Sequence, residues 1–164
     1  MSETLARTRT YSWQDPMIGA KIAPTMSGLE YMRAIVRGEI PRPLFVTTLG
    51  MEVQEVEEGR VIFSIVPADF HYNPIGVVHG GVACTPFDSA MGCAVQTTLP
   101  VGVTYTTLEL KVNLVRPLTK DTGQVFCEGK VIYVGGRVAT AEARLTDSQG
   151  KLYGHATTTC MIFR

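Results

Sequence analysis

Several features are missing from this sequence, and each absence removes a class of function. There is no basic run, and Lys plus Arg equals Asp plus Glu at 15 each. A nucleic-acid binder relies on a positive patch to displace counterions, so that class is set aside. No apolar stretch approaches membrane-spanning length, and the first residues (MSETLARTRTYSWQD) lack the apolar centre of a signal peptide. The chain is therefore expected in the cytoplasm, with no membrane partner. The four cysteines (Cys84, Cys93, Cys127 and Cys160) show no C-x-x-C spacing and no neighbouring histidine pair. They read as small buried hydrophobes of a reducing compartment, and no metal site is expected. A G-x-S-x-G elbow, a P-loop and a dinucleotide fingerprint are all absent, which disfavours serine hydrolysis, nucleotide hydrolysis and hydride transfer. Charge is also scarce, at 18% against 45% hydrophobic residues. That balance suits a subunit with part of its surface against a partner.

What is present fits one domain with one substantial core. Residues 1–26 are polar and aperiodic, expected as a mobile arm or a strap across the surface. A single domain is expected over 27–164. Ser27 followed by Glu30 reads as a capping box opening a short helix near 28–37. Leu29, Met32, Ile35 and Val36 form its apolar stripe, Gly38 suits its end, and Pro41 and Pro43 stop it. From about 48 the period becomes two, clearest at Val61, Phe63 and Ile65. After a break at 67–80, residues 81–98 have helical length and one charge, predicting a helix buried nearly all round. Strand-like runs follow near 104–116, 123–134, 137–146 and 151–163. The run Leu108 to Leu114 alternates most cleanly, and Asp147-Ser-Gln-Gly150 is hairpin-turn chemistry. Two strands, a long helix and four strands predict an α+β fold whose antiparallel sheet wraps around that helix.

One acid, Asp88, interrupts the apolar helix. Burying an unpaired carboxylate is costly, so Asp88 is either bonded to local structure or used chemically. Upstream runs Asn73-Pro-Ile-Gly76-Val-Val-His79-Gly80-Gly81. Two glycines at a helix start let a ligand approach the backbone, and the first helical N–H groups have no internal partner. With the helix dipole, they suit an oxygen that gains negative charge. Gly-Gly by itself equally describes a tight turn. Donors at a helix start followed two turns later by a lone acid are more specific.

The run from Asn73 through His79-Gly80-Gly81 to Asp88, nine residues after His79, resembles the signature of the phenylacetyl-CoA-type (PaaI-like) hotdog thioesterases. The likeness covers roughly residues 27–163 and includes Leu29-Glu30-Tyr31, Asp88-Ser-Ala-Met-Gly92, Thr106 to Asn113 leading to Arg116-Pro117, and Gly136-Arg137. The resemblance implies a hotdog fold, acyl-CoA or aryl-CoA as substrate, and no cofactor beyond the CoA the substrate carries. It further implies that the Gly80 N–H, beside Gly81, polarises the thioester carbonyl and that Asp88 acts as general base or nucleophile. Asn73 would orient the carbonyl or the water, Thr107 would hold the water, and His79 would stabilise the loop. Arg116 and Arg137 become candidates for the CoA phosphates, because guanidinium suits phosphate. The resemblance also implies a homodimer or a dimer of dimers, with Asp88 from one subunit and Asn73 and Gly80 from the other.

Pro86 departs from the family pattern, where leucine is common. Proline lacks an N–H, so the bond to the Val82 carbonyl is lost and a kink is expected two residues before Asp88. Two other readings stand beside hydrolysis: a hotdog hydratase or dehydratase, and a non-catalytic acyl-CoA binder.

Overall fold

The computed structural model describes residues 6–164; the expected arm over 1–26 therefore falls partly outside the described residues. The arm is not aperiodic throughout. A short helix, α1 (Met17–Ile22), forms within it and runs into a 3-10 turn at Ala23–Thr25. Asp15 accepts the Met17 N–H (2.9 Å) just ahead of that helix. Upstream, Arg9 and Tyr11 both donate to the Thr48 carbonyl, at 2.9 and 3.3 Å, and the Arg9 guanidinium lies 3.5 Å from the Phe70 ring centre.

Helix α2 (Gly28–Val36) begins where Ser27 accepts the Glu30 N–H at 3.3 Å. The reciprocal half of the capping box is replaced, because the Glu30 carboxylate turns to Arg33 at 3.5 Å. Met32, Ala34 and Ile35 are buried, whereas Val36 is exposed, so the apolar stripe ends one residue early. Gly38, at φ 77°, closes the helix in the left-handed region. A further short helix, α3 (Leu44–Thr48), follows Pro43.

The sheet contains β1 (Met51–Glu57), β2 (Arg60–Ile65), β3 (Thr104–Leu114), β4 (Val125–Val134), β5 (Val138–Asp147) and β6 (Leu152–Phe163). All pairings are antiparallel, in the order β1-β2-β4-β5-β6-β3. Helix α4 (Gly80–Thr97) packs against every one of these strands. Phe87, Ala90, Met91, Ala94 and Val95 on α4 are fully enclosed, meeting Val61, Val125, Cys127 and Leu145 from the sheet. This is the hotdog arrangement, with the core between one helix and the concave face of its sheet. At Gly129 on β4 the two layers nearly touch: a Cβ there would lie 2.4 Å from the Ala90 carbonyl.

Four expectations change. Helix α4 is not buried all round, since Gly81 and Asp88 are exposed and Cys84 and Thr85 are partly so. Cys84 and Cys93 are only partly buried, while Cys127 and Cys160 are buried as expected. Helix α4 also runs unbroken through the fully buried Pro86. One missing bond near the helix start is outweighed by packing on every side of the ring. The regular alternation of β3 fails too: a bulge between Thr107 and Glu109 leaves Leu108 exposed and turns Leu110 and Val112 inward.

Candidate active site

The loop ahead of α4 is held by its own side chains. Asn73 Oδ1 accepts the N–H groups of Ile75 (3.1 Å) and Val77 (3.3 Å), closing a turn that needs Gly76 at φ 84°. The His79 N–H donates to the His71 carbonyl at 2.8 Å, tying the loop to the 3-10 turn Asp69–His71. His79 then caps α4, its Nδ1 accepting the Gly81 N–H at 2.9 Å. This commits one of the two expected free donors. The Gly81 N–H is spoken for, while the Gly80 N–H has no acceptor among the described residues. The Asn73 amide nitrogen likewise donates to none of them. Asn73, Gly80, Leu114, Arg116 and Leu118 share a cavity of about 330 Å³.

Asp88 is exposed in the single chain, correcting the expectation of a buried acid. Its Oδ1 accepts the Thr107 hydroxyl across 3.0 Å, so strand β3 holds one carboxylate oxygen and leaves the other open. Behind Asp88 lies a cavity of about 310 Å³ between α2, α3, α4, β1 and β3. Its walls are mainly apolar, with Met32, Ile35, Val46, Val53 and Phe63 among them. In front of Asp88 a second, more open groove runs past Gly81, Thr85 and Leu108. Phe45, from α3, borders both spaces.

The two halves of the expected site do not meet within one chain. Gly80 and Asp88 are eight residues apart on the same helix, a rise of about 12 Å with a rotation of about 80°. One thioester carbonyl cannot touch both. The edge strand β3 separates the cavities, with Thr107 facing Asp88 and Leu114 lying 3.4 Å from where a Gly80 Cβ would stand.

The two arginine candidates also part company. Arg116 is exposed at the cavity of Gly80, donating to the Leu152 carbonyl at 2.5 Å. Arg137 is exposed before β5, whose first residue pairs with Met161 opposite Thr106. It stands at the far end of the sheet from Arg116. Cys93 beside the apolar cavity is no nucleophile: burial first, then the charge of Asp88, pushes its thiol up to about 12. No cluster of potential metal ligands occurs, and no helix is long and apolar enough to cross a membrane, among the described residues. The apolar cavity was missed from sequence, because its walls come from segments as distant as 31–53 and 88–107.

Residues 75–153 match the family model described as the thioesterase superfamily. A protein of Saccharolobus solfataricus, provisionally named an esterase, is 32% identical over 116 residues, covering 71% of this chain and 81% of its own. The protein named 1,4-dihydroxy-2-naphthoyl-CoA hydrolase from Listeria monocytogenes is 25% identical over 105 residues, 64% of this chain and 84% of its own. Among solved structures, a phenylacetic acid degradation-related protein of Ralstonia eutropha, provisionally named a thioesterase, is 30% identical. It superposes with TM-score 0.71, covering 79% of this chain and 97% of its own. The E. coli PaaI protein of the phenylacetic acid degradation operon gives TM-score 0.72 over 85% of this chain and 97% of its own, at 16% identity. That last likeness concerns the fold alone.

Proposed function

This chain belongs to the thioesterase superfamily of hotdog proteins, and from that premise we propose that it hydrolyses an acyl-CoA or aryl-CoA thioester to the free acid and CoA. The observation that carries the reading is Asp88, an ionisable carboxylate at the mouth of an apolar cavity with one oxygen fixed by Thr107. The acyl group enters the cavity and presents its thioester carbon at the mouth. Asp88 removes a proton from water as the water oxygen bonds to that carbon, or attacks the carbon itself. The carbonyl oxygen gains charge and takes the Gly80 N–H at the start of α4 in a second copy of the chain. The C–S bond then breaks; in the first route the proton passes from Asp88 to the leaving thiolate, and in the second water cleaves the mixed anhydride on Asp88 and supplies that proton. The Asn73 amide is a second donor near Gly80, and Arg116 is suited to the phosphates of CoA. CoA belongs to the substrate, and the reaction calls for no other cofactor.

The distance along α4 between Gly80 and Asp88 supports a site shared by two copies. Strand β3 is an unpaired edge with exposed Leu108 and Leu114, and pairing two such edges would bring one copy's Asp88 toward the other's Gly80. A homodimer, or a dimer of dimers, is the functional unit in this reading, and the cytoplasm is its place.

The test is turnover of a panel of CoA thioesters, with the released thiol detected, beside the melting temperature of the same preparation. Asp88→Asn keeps shape and removes charge, and is expected to abolish most hydrolysis while melting as the parent does. A fully active, stable Asp88→Asn protein would overturn the reading. Hydration of crotonyl-CoA by the parent, without hydrolysis, would favour the hydratase instead.

A further inference from the structure

The apolar cavity behind Asp88 contains a phenol with nothing to bond to. Tyr105 lines it from β3, and its hydroxyl has no hydrogen-bond partner among the described residues. The oxygen is not sealed off, since no buried side-chain polar atom lacks a partner. Its open side is the cavity. The ring is held firmly, because Gly92 on α4 gives it room: a Cβ there would stand 2.7 Å from the Tyr105 oxygen. Burial, the largest cause, keeps the phenol protonated far into the alkaline range, so it faces the cavity as a donor.

Tyr105 also has a defined place relative to the carboxylate. On β3 it lies two residues before Thr107, on the same face and roughly 7 Å away. On α4, Gly92 lies four residues beyond Asp88, about 6 Å along the axis. The Tyr105–Gly92 contact is therefore the next rung of the ladder whose first rung is Thr107–Asp88. An acyl chain that starts at Asp88 and runs into the cavity reaches the Tyr105 hydroxyl four to five bonds from its carbonyl carbon. Ser89 and Gln96 line the same space, and their side chains also have no partner within the chain among the described residues.

We propose that Tyr105 is a specificity-determining residue, selecting acyl groups that carry an oxygen acceptor four to five bonds from the thioester carbon. The inference rests on the thioesterase reading for its substrate but not on the catalytic role of Asp88. A phenol open to solvent bonds to water when no ligand is bound. A hydrocarbon acyl group displaces that water and leaves the phenol unpaired, whereas an oxygenated one replaces it. Sites built to bond a substrate oxygen reject the analogue without it more strongly than apolar pockets reject an extra methylene. The oxygen can stand on a ring, as in a para-hydroxylated aryl group, or at the end of a short chain. The chemistry that Tyr105 reads is the same.

The experiment uses two pairs of CoA compounds, benzoyl with 4-hydroxybenzoyl and hexanoyl with 5-oxohexanoyl, whose added oxygens both lie five bonds from the thioester carbon. Each is prepared as the thioester for kcat/KM and as the non-hydrolysable thioether for calorimetric binding. The parent is expected to favour the oxygenated member of at least one pair by about tenfold in both readouts. Which pair shows the larger ratio separates a ring from a chain substrate. Tyr105→Phe, which keeps the ring against Gly92, is expected to bring that ratio near one while retaining activity on the hydrocarbon members. Equal affinity of the parent for both members of each pair overturns the proposal, and so does a preference that survives Tyr105→Phe. A Tyr105-dependent preference in thioether binding, with no hydrolysis of any thioester, would sink the hydrolase reading and leave this one standing.

Discussion

Thr107 on the edge strand donates its hydroxyl to Oδ1 of Asp88 on the central helix, across 3.0 Å. The bond spans two elements that no local sequence signal connects, and it fixes which carboxylate oxygen remains free. Thr107→Val removes the donor and keeps the branched shape. It is expected to lower kcat by about tenfold with little change in melting temperature, the worth of one hydrogen bond to a charged group. Thr107→Ser should recover most of the loss. Rates for both variants, normalised to folded protein, check the point.

A shared site predicts rescue between two dead variants. Asp88→Asn and Gly80→Val should each be nearly inactive, the latter because a β-branched residue blocks approach to the free N–H. Mixed, unfolded and refolded together, they should regain about a quarter of parental activity. Half of the randomly paired dimers then hold one intact site out of two. No recovery on mixing would mean that each chain works alone.

His71 makes stability depend on pH. It is buried, with Nδ1 accepting the Ala68 N–H at 3.1 Å and Nε2 against the Leu49 carbonyl at 3.1 Å. Burial, the largest cause, and nearby Arg9 lower its pKa from 6.5, partly opposed by the Leu49 bond. The unfolded chain thus takes up the proton more readily than the folded one. The contribution to stability is complete above about 6.5 and is lost as pH falls from there toward the lower folded pKa. Melting temperature should drop between pH 7.5 and 5, and His71→Asn should melt lower at pH 7.5 with a flatter slope.

Gly129 tests the closeness of sheet and helix. A methyl group there meets the Ala90 carbonyl at 2.4 Å, and backbone cannot step aside as a side chain can. Gly129→Ala should cost about 1–3 kcal/mol, by denaturant unfolding, through overpacking.

Much of the architecture was legible because the sequence changes period where the chain changes element. The stretch 81–98, with its single charge, is α4 displaced by one residue, and the four later strands fall within a few residues of their runs. Other features depend on partners distant in the chain. The bulge at Leu108 exists only in the pairing of β3 with β6, so Leu108 read as one more inward residue. The open face at Asp88 was masked because its neighbours Cys84 and Thr85 are small and uncharged, and look like core. Helices α1 and α3 are too short for periodicity, although Pro16 and Pro43 immediately before them were usable start signals. Within the loop, His79 and Gly81 stand two residues apart, but only the folded turn shows that one occupies the other's N–H and leaves Gly80 as the donor.

The double attachment of Arg9 and Tyr11 to one carbonyl, that of Thr48, changes where the domain can be cut. Thr48 ends α3, the segment that supplies Phe45 and Val46 to the wall of the apolar cavity. A chain trimmed to begin at residue 27 would keep every strand and the whole of α4. It would nevertheless release the tether on α3, which would open locally at far lower cost than the rest of the fold. Such a truncation should look intact by global unfolding yet exchange its amide hydrogens early around residues 44–50, which would make this wall of the apolar cavity and the helix-and-sheet core separately stable parts of one chain.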